Sequence, residues 1–414
     1  MKKLLFVAAL LSSSALLASA AEPGSIQDLQ ERLAKLEAAA KPENGAPLKV
    51  SYVKKKGLTF ADDERFKAVL NWRLQMRYSF SHDEDPRTAP QFGQGNDNSF
   101  RLRRARIKLE GYVYEPALIY KFEYDWPTAT LLDFRFSYEK HKALSVRAGQ
   151  WKIDFNRERV DSSGSQQFAE RSIVNREFTV DRQDGVAIFG RLFDGTLADS
   201  RYTAGVFTGN GINAVNDDAE PLYLGRYQWN FLGRDLPFSQ SDVEHHEKPA
   251  GSLAFAAATN QSRSTRFSSG GGGNLDGFAA GTDGQYAIKQ WMEETAFKYR
   301  GFSLQHEYHW KQIRNNTGGA LRRMRGAYVQ AGAFPHYLVA AVPKQLETAL
   351  RYAFVDPNVA AANDIRQEYT AALNWFIEGH WNKVTLDATH FNLARAGAPT
   401  LREERVRLQW DISF

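Results

Sequence analysis

The chain contains no cysteine, which excludes a disulfide framework, a thiolate metal site and a cysteine nucleophile. Beyond residue 20 no run approaches the ~20 apolar residues that a membrane-crossing helix needs. A large excess of charge is lacking too. With Lys2 and Lys3 removed in an expected signal peptide, 51 basic side chains face 48 acidic ones, so any preference for anions must come from where the charges sit, and no nucleic-acid partner is expected. No phosphate-cradling loop ends in Gly-Lys-Ser/Thr and no Gly-x-Ser-x-Gly elbow occurs, which leaves an ATPase or a typical lipase unsupported. Gly209-Asn210-Gly211-Ile212-Asn213-Ala214 fits the loose dinucleotide pattern but runs into an Asn- and Asp-rich loop, not a helix. His306 and His309 stand three apart in an expected strand and point to opposite faces, so they do not chelate together. His245 and His246 are loop neighbours and do not make a site. No cofactor, metal or catalytic residue is expected, although a Ser/His/Asp constellation on a barrel would be recognised only by geometry.

What is present begins with targeting. Lys2 and Lys3, the apolar stretch Leu4 to Leu17 and Ala18-Ser19-Ala20 read as a signal peptide over residues 1–20, leaving an exported chain that is either soluble or a barrel. Residues 25–40 predict a short helix: Ile26, Leu29, Leu33 and Leu36 fall at heptad spacings, with Ser25 as cap. Two heptads are too short to stand alone. The stripe therefore either packs on its own domain or meets identical helices in a periplasmic coiled coil. Residues 41–60, opened by Pro42 and Gly45, are expected to form a linker.

Residues 61–414 are expected to form the barrel, and from Arg65 onward the dominant period is two. Phe66, Ala68, Leu70, Trp72, Leu74, Met76, Tyr78 and Phe80 alternate with Lys67, Val69, Asn71, Arg73, Gln75, Arg77 and Ser79. The last ten residues repeat the pattern, with Val406, Leu408, Trp410, Ile412 and Phe414 opposing Arg405, Arg407, Gln409, Asp411 and Ser413. Strands send such sets to opposite faces, and an oily set ending on an aromatic carboxy-terminus suits a lipid-facing barrel wall. Similar segments cover 104–109, 118–126 and 132–138. More are expected near 143–152, 183–192, 200–209, 222–232, 251–259, 288–299, 302–312, 323–334, 345–356, 366–378, 382–393 and 402–414. The sum is an all-β, 16-stranded antiparallel transmembrane β-barrel, of even strand number and pore size. Aromatic residues, 13% of the chain, cluster near strand ends as interfacial girdles do. Gly301 and Gly379-His380 mark tight turns. The connections at 81–99, 153–182, 233–249 and 260–285 are long, as outer loops are.

Arg73, Arg77, Arg104, Arg106, Lys108, Lys121, Arg135 and Arg147 all fall on the polar phase of consecutive strands. If the oily phase meets lipid, these cations face one water-filled lumen. Two readings stay open. They form an anion pathway, or they form a solvated wall balanced by carboxylates such as Glu110, Glu123 and Asp125. Arg104-Arg106-Lys108 favours the first, since no matching acidic run stands beside it in sequence.

The stretches Arg104 to Gly111 (RARIKLEG), Ala148 to Phe155 (AGQWKIDF), Phe168 to Ser172 (FAERS), Tyr328 to Gly332 (YVQAG) and Leu350 to Pro357 (LRYAFVDP) resemble, in order and spacing, the phosphate-selective porin O and P family over roughly residues 65–414. The resemblance implies a trimeric outer-membrane porin of a Gram-negative bacterium, surrounded by outer-membrane lipid. Its lumen would carry an arginine ladder leading inorganic, phosphate-like anions to a constriction made by an infolded loop. The connection after Lys152 stands where that loop would be, which makes Arg157, Arg159 and Arg171 candidates for contact with the ion. One departure matters: this connection has no lysine between Ile153 and Arg182, so a lysine-lined phosphate site is not carried over. The expected function is passive diffusion with no reaction. A general, non-selective porin and a barrel hydrolase are the alternatives.

Overall fold

The computed structural model describes Glu31 and residues 48–62, 65–81, 83–93, 98–267 and 272–414. The expected signal peptide and, apart from Glu31, the expected helix at 25–40 lie outside the described residues. The chain divides at Leu48 into two units, of which the second, Lys49–Phe414, carries every strand among the described residues.

Those strands are β1 (Lys49–Val53), β2 (Gly57–Ala61), β3 (Phe66–Phe80), β4 (Ser99–Val113), β5 (Leu118–Asp125) and β6 (Thr130–His141). Next come β7 (Leu144–Lys152), β8 (Arg182–Leu192), β9 (Ser200–Phe207), β10 (Leu222–Trp229), β11 (Ala250–Ser262) and β12 (Tyr286–Tyr299). The series ends with β13 (Phe302–Asn315), β14 (Leu321–Ala333), β15 (Leu346–Asp356), β16 (Arg366–Phe376), β17 (Asn382–Arg395) and β18 (Ala398–Ser413). From β3 onward each strand pairs antiparallel with the next, and β18 returns to β3 with Val406–Ser413 opposite Arg73–Phe80. The result is a closed barrel of 16 strands, in which each wall strand has a neighbour on both sides.

The two extra strands correct one expectation. Lys49 to Ala61 is not linker: β1 and β2 form a hairpin, and β2 pairs with Lys67–Leu70 of β3. The chain terminus explains the position. Trp72 and Phe414 exchange backbone hydrogen bonds at 2.8 and 3.0 Å, β18 stops there, and β2 takes over the edge of β3 that β18 leaves bare. Gly57 is needed at this junction, because a Cβ on it would lie 2.2 Å from the Leu70 carbonyl oxygen.

Side-chain alternation sorts the two faces as the period of two requires. Tyr78, Phe80, Phe134, Phe136, Tyr227 and Leu408 are exposed on the outside, with Trp410 at 41% and Phe414 at 45%. Arg73, Gln75, Arg77 and Ser79, between the apolar residues of β3, are buried inside. At Gln75/Met76 the register with β4 slips by one residue. This bulge at Arg103 lets Arg103 and Arg104 face the same interior carboxylate.

Connections alternate between the two ends of the barrel. The segment from Asn230 to Pro249 follows β10 and therefore lies at the Phe414 end among the short turns, not among the outer loops where its length alone would put it. It and the connection between β7 and β8 both fold into the ring. The latter carries two short helices, α1 (Arg157–Val160) and α2 (Ile173–Phe178). Its apolar residues fill the interior: Ile173, Val174 and Phe178 pack with Ile288, Ile313, Met324 and Val355, and Ile153, Phe155 and Val180 pack with Trp151, Phe207 and Leu222.

Candidate functional site

The segment Ile153–Asp181 is held inside because the far wall offers acceptors for its backbone and arginines. Buried N–H groups need partners, and inward carboxylates on β12, β13, β15, β16 and β17 supply them. Glu294 accepts from the Arg157 backbone N–H at 3.0 Å and from its Nε at 3.1 Å. Glu307 accepts from the Glu158 N–H at 2.6 Å, Asp387 from the Ala169 N–H at 2.9 Å and Glu368 from the Ile173 N–H at 2.9 Å. Glu347 accepts from Gln167 Nε2 at 2.8 Å. The segment rising from the Phe414 end meets this loop: Arg157 Nη1 donates to the Pro237 carbonyl at 3.1 Å, and the Gln167 N–H donates to Gln240 Oε1 at 2.8 Å.

This anchoring decides what the candidate arginines do. Arg157 is fully buried on Glu294, Arg159 is held by Asp181 with Nε at 2.6 Å, and Arg171 donates to the carbonyls of Glu158 and Asp161 at 2.8 Å each. All three fix the loop, and none lines the open cavity described below. On the wall, Arg73 donates to Ser162 Oγ at 3.0 Å and pairs with Asp411 at 3.7 Å. The loop backbone comes so close here that a Cβ on Gly164 would lie 2.1 Å from Arg73 Nη2. Arg77, Arg103 and Arg104 converge on one carboxylate, Glu170, at 3.1, 3.1 and 3.0 Å. Burial alone would raise that carboxyl, but Arg104, Arg103 and Arg77 hold it well below its ordinary value. Arg106 pairs with Glu123 at 2.9 Å and Asp125 at 3.0 Å, and Lys108 stands opposite Glu123 in the β4–β5 register. The run Arg104-Arg106-Lys108 thus has its acidic counterpart after all, across strands and on the loop.

The other three sequence-predicted cations do come together. Lys121, Arg135 and Arg147 line a cavity of about 540 Å³ between the loop and the β5–β10 side of the wall. Five further basic residues join them, Lys142, Lys152, Arg191, Arg201 and Arg226, against only Asp133, Glu139 and Asp154, with Phe238 closing one side. Several of these cations are paired: Lys121 with Asp133 at 3.1 Å, Arg191 with Asp194 at 2.8 Å, Arg226 with Glu294 at 2.6 Å, and Arg201 with Asp235. Arg135 and Lys152 have no carboxylate in salt-bridge reach among the described residues. Lys152 Nζ instead caps the end of α1, donating to the carbonyls of Arg159, Val160 and Asp161 at 3.1, 3.0 and 3.2 Å, the natural place for a cation. Arg147 lies over the Phe189 ring at 4.3 Å and donates to Ser137 Oγ at 3.1 Å, so its guanidinium is spread flat against the wall. Arg191, Arg201 and Arg226 were readable by the same alternation that gave Arg135. Each shares a strand phase with an inward neighbour: Phe189, Thr203 and Gln228.

A closed antiparallel barrel with an apolar outside, a polar inside and a lumen narrowed by an infolded loop defines an outer-membrane porin. The model of one porin family, phosphate-selective porin O and P, matches residues 70–395, and the chain belongs to that family. Among solved structures it is similar to an anion-selective porin from Comamonas acidovorans, with 11% identity, 84% of this chain and 99% of that one covered, and a TM-score of 0.53. The outer membrane channel DcaP of Acinetobacter baumannii is also 11% identical, with 84% and 97% coverage and a TM-score of 0.53. The trimer form of OmpT from Vibrio cholerae is 9% identical, with 84% and 99% coverage and the same TM-score. At these identities the likeness is one of fold. No curated protein matches the sequence. Family and fold mark a channel rather than an enzyme.

Proposed function

We propose that the chain is a passive, anion-selective diffusion channel for phosphate-like inorganic anions, and that it works as a homotrimer. The observation that carries this reading is the cavity beside the infolded loop, where eight basic side chains outnumber three acidic ones and Arg135 has no carboxylate in salt-bridge reach among the described residues. A unit charge ~4 Å from an anion is worth about 4 kcal/mol at an effective dielectric of ~20. Several such groups in series let an ion move from one to the next, where a single tight site would trap it. On this reading the anion pathway runs past Lys121, Arg135 and Arg147, while Lys152 and the loop arginines position the loop. Trimerisation is supported by the trimer form of OmpT, which shares the fold. Ile26, Leu29, Leu33 and Leu36 are the residues proposed to meet at the three-fold axis.

The test is planar-bilayer reversal potential in a salt gradient. Arg135→Glu with Arg147→Glu should swing the permeability ratio toward cations and leave folding intact, because lumen substitutions spare the lipid face. A parental reversal potential in that double variant would sink the reading and favour a general, non-selective porin.

A further inference from the structure

The outside of the barrel carries charge where lipid should leave none. On β12, β13 and β14 the outward phase reads Lys289, Arg314 and Arg323 near the end that bears the long loops, and all three are exposed. In the registers, Lys289 stands opposite Gln312 and Gln312 opposite Arg323, while Arg314 lies two residues nearer the loops. Neighbouring strands run ~4.8 Å apart, so the three backbones sit within ~10 Å of one another. None of these cations has a carboxylate in salt-bridge reach among the described residues. Their neighbour Arg325 does, in Asp356 at 3.0 Å, and is not counted with them.

Below them, toward the mid-membrane, the surface changes character. Trp291 and Trp310 stack at 6.5 Å, and beside them an open apolar groove of about 900 Å³ runs across β8 to β13 with Lys289 at its rim. Its floor is made of small residues, Gly205, Gly225 and Ala257. A Cβ on Gly225 would meet nothing within 4 Å, so packing does not require glycine there, and the space is left open. Unpaired cations at headgroup level above an apolar groove are complementary to an anionic, acylated lipid. We propose that this face of β12–β14 and the adjoining groove hold a phosphorylated, multiply acylated lipid of the outer leaflet, its phosphate on Lys289, Arg314 and Arg323 and an acyl chain over Gly225.

Native mass spectrometry of the purified full chain, offered bis-phosphorylated lipid A or its dephosphorylated counterpart, tests this directly. The parent should retain the phosphorylated lipid selectively. The triple variant Lys289→Gln, Arg314→Gln, Arg323→Gln should lose that retention by roughly 100-fold, on the scale of about fivefold per basic residue at an anionic lipid surface. Gly225→Leu fills the groove without a clash and should weaken retention while the three cations stay in place. Inorganic phosphate should not displace the lipid, since it cannot use the groove. Equal retention of the two lipids by the parent, undiminished retention in the triple variant, or displacement by free phosphate would each overturn the proposal. So would Gly225→Leu that dissociates subunits yet keeps the lipid, because the groove would then belong to a second copy of the chain.

Discussion

Replacing Glu170 by Gln keeps the shape of the loop's most connected side chain and removes its charge. In the parent this carboxylate serves Arg77, Arg103 and Arg104 at 3.0 to 3.1 Å, and its side chain is 19% exposed. Breaking a buried ion pair costs about 3–5 kcal/mol. Partial exposure argues for the lower end, about 3 kcal/mol, or a roughly 100-fold shift of the local docking equilibrium of the loop. The loop should not leave the lumen, since Glu294, Asp387 and Glu368 hold it independently, but the stretch around Glu170 should loosen. Three guanidinium groups then lack their shared partner. One uncompensated charge ~8 Å from the ion path in water is worth about 0.5 kcal/mol, about a twofold enrichment of anions. Bilayer recordings of Glu170→Gln should therefore show more current noise and a reversal potential moved further toward anions, and trypsin should cut faster after Arg171. Parental noise, parental reversal potential and an unchanged cleavage pattern together would refute the claim that Glu170 is the joint between loop and wall.

Asp161 should make loop docking pH-dependent. Both its carboxylate oxygens are buried without a hydrogen-bond partner among the described residues, and burial pushes its pKa from 3.8 up to about 7, against the pull of Arg157 and Lys298. A docked loop then binds a proton that a released loop gives up, so docking weakens as pH rises from about 4 to about 7 and levels off above that; Asp161→Asn should flatten the dependence of channel noise on pH across this window. Phe414→Ala removes a ring stacked on Trp72 at 6.1 Å, a pair worth about 1 kcal/mol, and should lower the temperature at which the barrel unfolds in detergent without altering ion selectivity. Deleting Lys49–Ala61 uncovers the edge at Lys67–Leu70 and should also lower that temperature, again with selectivity unchanged.

Much of the wall was legible because a barrel strand carries its fold in its own alternation. Trp410 and Phe414 could be assigned to the lipid face from ten residues of sequence, and Arg135 and Arg147 to the lumen by the same rule. The rule fails where the backbone departs from it. At Arg103 a single extra residue sends two successive arginines to one carboxylate, which no period of two predicts. Pairings that cross the lumen were also hidden: Glu170 lies 66 residues from Arg104 and 93 from Arg77, and only the loop's path joins them. The loop arginines looked like ion contacts because their charge was visible while their partners, such as Glu294 for Arg157, stood on the opposite wall. Composition misled at 49–60, where a nearby Pro and Gly suggested a linker although Val50 and Tyr52 already alternate with Lys49 and Ser51.

The pairing of β3 with β18 also sets an order in time. The first wall strand pairs with the last, so β3 keeps an open edge until β18 is in place and the ring closes. The β1–β2 hairpin directly precedes β3 in the chain and covers Lys67–Leu70 of that edge by local pairing. What stays uncovered is Arg73–Phe80, the length that β18 later occupies. The hairpin and β18 thus divide the edge of β3 between them, and the length that the hairpin leaves is the length over which the ring is sealed.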